Sequence, residues 1–560
     1  MGQYAPALSL AALHRLKPVW RSVGAMLGLA LLSLGYLAWL EFGQWAGQAI
    51  QIDELYFSAC AARGLAVGQL PIAGCHDNKG PLILLMHQLV QMASSAYNLV
   101  AIKAAAYVVV LLMVGAVAWL AHRLAGLLAA ASAAALVLQA LVTQASHLAL
   151  KTETVGVFFL LASLIVATRP VARSGAWRLF ASGVLLGMAV VTKQTFAVAA
   201  VATVGWLWWS SAGSPGVRLR SCATRSAVFC IGVLLPFGVF MLIFMREHRQ
   251  SEFLSSMLIY PSVYGAVATE PFYKRWGWTT GAVLGAMGST LLLSTLCVGG
   301  VIRTLITSRS QHSGKKAATR SRMLLLLVTV ATFFTLVLAP AFYTYHLVPA
   351  QALMAVFGGV LISDMASELR DAAPKATAYL SLSLVVPSVL MAATTWSSNG
   401  GEWHTRNSDS VLAQSLALPS AARGEFAYVL GMRPSFYAYN GLIPASDVLF
   451  PWALRGAPQN SFYSPPPEGS ARARGLAWAQ EQATAALFAD FHRTPPRYIL
   501  VVWSMARAAN SNLVSDVPGF DEYLREACVY LQDVGASDKK DASLYQCSEP
   551  RHRQHSFLRD

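Results

Sequence analysis

Apolar residues in this chain gather into long blocks separated by short polar segments. Blocks close to the roughly 20 residues that cross a bilayer fall near 23–40, 98–121, 124–143, 154–168, 179–192, 196–211, 226–245, 279–302, 323–340, 348–363 and 376–394. They predict about eleven transmembrane helices. Beyond 395 the pattern changes. Pro, Arg, Ser and Tyr become frequent, and short β-branched and aromatic runs at 426–430 and 498–503 read as strands around a helix near 471–492. The expected fold is therefore mainly α: a polytopic transmembrane helical bundle over 1–395, with a long first loop at 42–97, followed by an α/β domain over 396–560. That last stretch is long enough to bury a core of its own.

Composition agrees with the blocks. Hydrophobic residues make up 55% of the 560 and charged residues 12%, where soluble domains carry about 25% charged. Mean hydropathy is +0.49. A net charge of +15 would suggest nucleic acid in a soluble protein, but no zinc-finger, P-loop or helix-turn-helix signature accompanies it. The Lys and Arg residues lie mainly between the apolar blocks, where topology explains them. The first block follows Arg15, Lys17 and Arg21, is too long for a signal-peptide core, and reads as an uncleaved helix with a cytoplasmic N-terminus.

Threading the blocks from that end puts positive charge in every cytoplasmic loop. His122 and Arg123 fall inside, then Arg169, Arg173 and Arg178, then Arg218, Arg220 and Arg225. The long loop with Arg303, Arg309, Lys315, Lys316, Arg320 and Arg322 follows, and the last loop holds Arg370 and Lys375. The same threading leaves 42–97, 246–278, 341–345 and the tail from about 396 outside. Cys60 and Cys75 lie in the first outside loop, and Cys528 and Cys547 in the tail. Each pair can close a disulfide in an oxidising compartment; chance placement of four cysteines is the alternative.

Three groups of chemically capable residues reach the outer interface. The first loop carries Asp53, Glu54 and Tyr56, then His76, Asp77 and Lys79. Ordinary loop polarity explains any one of them, but less readily their concentration between hydrophobic helices. Lys151, Thr152 and Glu153 stand where the third block turns into the fourth, and Lys193 where the fifth turns into the sixth. Ionisable groups at membrane depth are costly and tend to line cavities. Snorkelling to the headgroups explains Lys193 as well as phosphate binding does, but a carboxylate such as Glu153 is too short for it. The third group is Tyr343, Tyr345 and His346, for which an interfacial aromatic belt is the simple alternative. Together they suit a substrate with a lipid tail and a phosphate at headgroup level: lysine supplies a point charge and a carboxylate can take a proton from an attacking hydroxyl.

At these residues the chain resembles the GT-C superfamily of polyprenyl-phosphate-dependent glycosyltransferases, in the bacterial branch related to protein O-mannosyltransferases and the lipid A aminoarabinose transferase. Asp53, Glu54 and Tyr56 match the family's first acidic motif, and Gly68 and Pro71 its Gly-x-x-Pro stretch. Asp77 and Lys79 match its acidic residue before Lys-Pro, except that Gly80 stands where the first Pro is usual. Thr152-Glu153, the glycine-rich run 183–193 ending in Lys193, Tyr345-His346 with Pro349, and 428–437 in the tail are also similar.

The resemblance implies an integral inner-membrane enzyme of a bacterium. It would move a sugar with inversion from polyprenyl phosphate, most often undecaprenyl phosphate, to a periplasmic acceptor: lipid A or other lipopolysaccharide, a surface glycan or a protein. It implies Asp53 as general base with Glu54 beside it. Lys79, Lys193, Tyr345 and His346 would act on the donor phosphate, and Tyr56, Asp77 and Glu153 would position groups or the acceptor. No cofactor is implied with certainty; His76 with Asp77 is the place for a divalent ion. A transporter or flippase for lipid-linked sugars is the competing class, but it would place polar groups at the midplane, often with internal repeats. Here no repeat is evident and the ionisable residues collect at one interface.

Overall fold

The computed structural model describes residues 52–69, 75, 79–142, 149–168, 175–210, 214–261, 291–309, 316–338, 344–372, 416, 418–431, 433–449, 454, 467–502, 514–534 and 542–548. The chain folds as a mainly helical polytopic bundle with a small C-terminal sheet.

Among the described residues, two helices lie inside the expected first loop, α1 (Ile52–Ala66) and α2 (Pro81–Ala93). Proline at the first position of α2 suits a helix start, where its missing N–H would have no partner. Among the described residues, nine helices then overlap expected spans: α3 (Leu99–Ala125), α4 (Leu127–Val142), α5 (Thr152–Ala167), α6 (Gly175–Thr192), α7 (Ala197–Ser210), α8 (Pro215–Arg246), α9 (Leu291–Arg309), α10 (Lys316–Leu338) and α11 (Val348–Ala372). The spans expected at 23–40 and 376–394 lie outside the described residues. By length and composition alone, Leu99–Ala125, Gly175–Thr192, Pro215–Arg246 and Val348–Glu368 are sufficient to cross a membrane.

Local chemistry sets the turns. Asn98 caps α3 by accepting the Ala101 N–H at 3.0 Å. Gly126, at φ 87°, ends it and returns its N–H to the His122 carbonyl at 2.7 Å, so α4 can start at the next residue. In the bundle, α6 and α8 approach through glycines. A Cβ on Gly183 would strike the Phe229 carbonyl, and one on Gly187 the Val233 carbonyl and the Pro236 ring. Leu234 and Leu242 on α8 remain exposed to the surroundings, as a lipid-facing surface requires.

The two ends of the bundle differ. At one end Arg322 forks onto Asp364 (2.8 and 3.2 Å), Arg303 pairs with Asp364 and Glu368, and Arg123 donates to the Ile165 carbonyl. Arg123, Arg303 and Arg322, which the positive-charge pattern places in cytoplasmic loops, lie instead within the ends of α3, α9 and α10, because those helices run past the apolar blocks. The opposite end carries α1, α2 and the C-terminal sheet.

That sheet has strands β1 (Phe426–Leu430), β2 (Ile443–Pro444), β3 (Tyr498–Val502), β4 (Cys528–Val534) and β5 (Ala542–Cys547), in the order β2-β1-β3-β5-β4. β1 runs parallel to β2 and β3, while β5 is antiparallel to β3 and β4. Helices α12 (Ser435–Asn440), α13 (Ala471–Arg493) and α14 (Phe520–Ala527) complete this region. One sheet face, with Ala427, Val429, Leu500 and Val502, joins a core containing Phe57, Leu82, Val155 and Phe253 from the helical part. The other face, with Tyr428, Leu430, Ile499 and Val501, packs on Ala483, Leu487 and Phe491 of α13 and Phe520 of α14. Burial on both faces is why these strands are continuous apolar runs. Both cysteine pairs are disulfides, Cys60–Cys75 and Cys528–Cys547.

Candidate active site

Asp53 and Glu54 occupy the first turn of α1, where the positive end of the helix dipole favours carboxylates. Their environments differ. Glu54 is fully buried; one oxygen accepts from Lys103 Nζ at 2.6 Å and the other from the Leu150 N–H at 2.8 Å. The Asp53 side chain keeps 27% of its surface and stands 3.2 Å from Lys151 Nζ. Of the two, Asp53 is the carboxylate an incoming group can reach.

A second cluster begins at Glu153, in the first turn of α5. Its Oε1 accepts from Lys193 Nζ and lies 3.8 Å from His346 Nε2, while Thr152 Oγ1 donates to Oε2 at 2.9 Å. Lys193 follows the last residue of α6 and turns inward to Glu153, so snorkelling does not describe it. His346 sits in the single helical turn Thr344–Leu347 that leads into α11.

Lys79 lies within electrostatic reach of both Lys193 and His346. Its place is set by Gly80, whose N–H donates to the Thr192 carbonyl at 3.2 Å. A Cβ at Gly80 would collide with the Val191 carbonyl. Proline in this position would lose the hydrogen bond and clash, which is the physical reason for the departure from the usual Lys-Pro pattern.

His87 on α2 underlies the site. Its ring bridges Ser58 Oγ (3.1 Å) and the Leu150 carbonyl (3.0 Å), joining α1, α2 and the loop ahead of α5. Burial pushes its pKa down to about 4, so the ring is neutral. Tyr56 is buried with its ring edge-on to Phe57. His76, Asp77 and the side chain of Tyr345 lie outside the described residues. Among the described residues, no group of three or more His, Cys, Asp or Glu is arranged to hold a metal ion.

Asp53, Glu54, Lys79, Glu153, Lys193 and His346 thus share one end of the bundle. Sequence reasoning gave Lys103 and His87 no role. Lys103 sits inside an apolar block, and the signal for it was the need to neutralise a glutamate beside a membrane helix. Among the described residues, Lys103 pairs with Glu54, Lys151 with Asp53 and Lys193 with Glu153, and Lys79 stands within electrostatic reach of Lys193. Between α2, α3 and α5 runs an apolar groove of about 410 Å³ lined by Met86, Ala105, Val108, Leu112, Phe158 and Phe159. It starts two residues from Lys103 and from Glu153, since Ala105 and Val155 both line it.

The helical bundle, with this lysine–carboxylate site at the end that carries the small C-terminal sheet region, has the GT-C fold. Among solved structures it is similar to ArnT from Cupriavidus metallidurans bound to undecaprenyl phosphate. The identity is 13%, covering 95% of this chain and 98% of that one, with a TM-score of 0.56. The apo state of the same protein aligns with 93% of this chain at the same identity and TM-score. No protein-family model matches the sequence, and no curated protein matches it.

Proposed function

We propose that the chain is an inverting glycosyltransferase that takes a sugar from a polyprenyl-phosphate donor at the outer face of a bacterial inner membrane. The acceptor would be periplasmic: lipid A, a surface glycan or a protein. The observation that carries this reading is the separation of labour between two carboxylate–lysine clusters at one bundle end. Asp53 is accessible, while Glu153 is buried and spent on holding Lys193.

In the proposed reaction the acceptor hydroxyl attacks the anomeric carbon of the donor sugar. The new C–O bond forms on the face opposite the phosphate, the bond to the phosphate oxygen breaks, and configuration inverts. Asp53 takes the hydroxyl proton. Lys193 and Lys79 bind the departing phosphate as point charges, with His346 and Tyr345 as further donors. Glu54, already satisfied by Lys103 and Leu150, fixes the helix end that carries Asp53. Tyr56 and Asp77 are assigned to positioning. The apolar groove starting beside Lys103 and Glu153 supports a lipid-tailed substrate, and the undecaprenyl phosphate held by the similar ArnT structure supports the donor class.

The test is Asp53→Asn, which is nearly isosteric. Glycan modification of the envelope, read by mass spectrometry, is expected to fall at least about a hundredfold, with membrane insertion and melting temperature unchanged. Wild-type modification by this variant would remove Asp53 from the mechanism.

A further inference from the structure

Arg63 lies ten residues along α1 from Asp53, about 15 Å at helical rise. It is 2% exposed. Its Nε meets Asp447 Oδ1 at 2.6 Å and an Nη meets Asp490 Oδ1 at 2.9 Å. The other Nη donates to the Pro444 carbonyl at 3.0 Å and to Thr494 Oγ1 at 3.2 Å. Every partner belongs to the C-terminal α/β region. Both carboxylates are satisfied elsewhere too: Gln69 donates to Asp447 Oδ2 (3.1 Å), and Ser446 Oγ and the Asp447 N–H donate to Asp490 Oδ2 (2.9 and 3.0 Å).

The network continues. Arg249 is within electrostatic reach of Asp447 and chelates Glu252 (2.8 and 2.9 Å), whose Oε1 accepts the Cys75 N–H at 2.8 Å. Cys75 is bonded to Cys60 on α1, and Lys79 follows it by four residues. Burial pushes the Asp447 carboxyl up, but Arg63 and then Arg249 outweigh this and hold it below the usual carboxylate range; burial and the charge of Asp447 push Asp490 above it. A buried ion pair of this kind contributes little net stability relative to apolar packing, but removing one partner is costly because it leaves a buried charge uncompensated.

We propose that Arg63 is a positioning residue: by pinning one end of α1 to the α/β region, it fixes where Asp53 and Glu54 at the other end stand against Lys151 and Lys103. The C-terminal region is then part of the active-site frame. This rests on the proposed role of Asp53, but the placement of α1 can be read without turnover.

In the full chain reconstituted in nanodiscs, Arg63→Gln is expected to raise amide exchange across 52–66 about tenfold, with α3 and α6 keeping wild-type rates. Binding of undecaprenyl phosphate as the probe would weaken severalfold. Arg63→Lys keeps a positive charge between the carboxylates, folds, and is expected to restore most of the protection and binding. Wild-type exchange across α1 in Arg63→Gln would overturn the proposal, as would exchange raised equally throughout the bundle. Equal loss in both variants would also overturn it. A wild-type chain that binds no undecaprenyl phosphate would count against the proposed function, while the exchange result would stand by itself.

Discussion

Gly80 shows how closely single residues are fitted here. It has no side chain because the end of α6 occupies that space, and its N–H is used by the Thr192 carbonyl. Gly80→Ala must push a methyl group against backbone, which overpacking data place at about 1–3 kcal/mol. A lower melting temperature in detergent is expected, with weaker undecaprenyl phosphate binding because Lys79 moves with it. An unchanged melt would mean that α6 and this loop yield freely. At this scale the sequence singled out the carboxylates and Lys193 as candidates but not their pairings. Asp53 with Lys151, Glu54 with Lys103 and Glu153 with Lys193 each join segments distant in the chain. Only three-dimensional packing brings them together. Arg63 was illegible for the same reason, since its carboxylates lie in the tail.

Among the elements, β1, β3 and α13 were readable because period and length agree with burial: strands covered on both faces are short continuous apolar runs, and α13 has a capped amphipathic start at Ser470. The spans were readable for the same reason, although α9 runs on to Arg309, past the expected end at 302. The helical content of the first loop was less plain. α1 is mixed in character, and its stability comes from contacts with α2 and the sheet rather than from its own pattern. The disulfide from Cys60 closes a 15-residue separation in this loop, a size for which chain entropy alone gives about 3 kcal/mol. Replacing both cysteines by serine is expected to lower the melting temperature and to open the segment 67–79 to protease. Wild-type resistance in that variant would show that Glu252 and the core hold the loop without it.

For the whole molecule, the decisive property is polarity of the bundle. One end is bound by Arg303 and Arg322 to Asp364, the other carries the lysine–carboxylate clusters and the sheet. If the basic end is cytoplasmic, a cysteine at the exposed Glu481 of α13 will react with an impermeant maleimide on intact spheroplasts. One at the exposed Val217 of α8 will react only after permeabilisation. These experiments use a background lacking Cys222, Cys230 and Cys297. The reverse labelling would put the site on the wrong face for a periplasmic acceptor.

The Arg63 contact also orders assembly in time. Its first carboxylate, Asp447, is encoded 384 positions later, so at ordinary synthesis rates of about 5–20 residues per second the guanidinium waits roughly 20–80 s for it. During that interval α1 has no sheet to dock on. Docking of α1 on the sheet is thereby deferred until Asp447 and Asp490 have been made, and a chain stopped before them leaves Arg63 without these carboxylates.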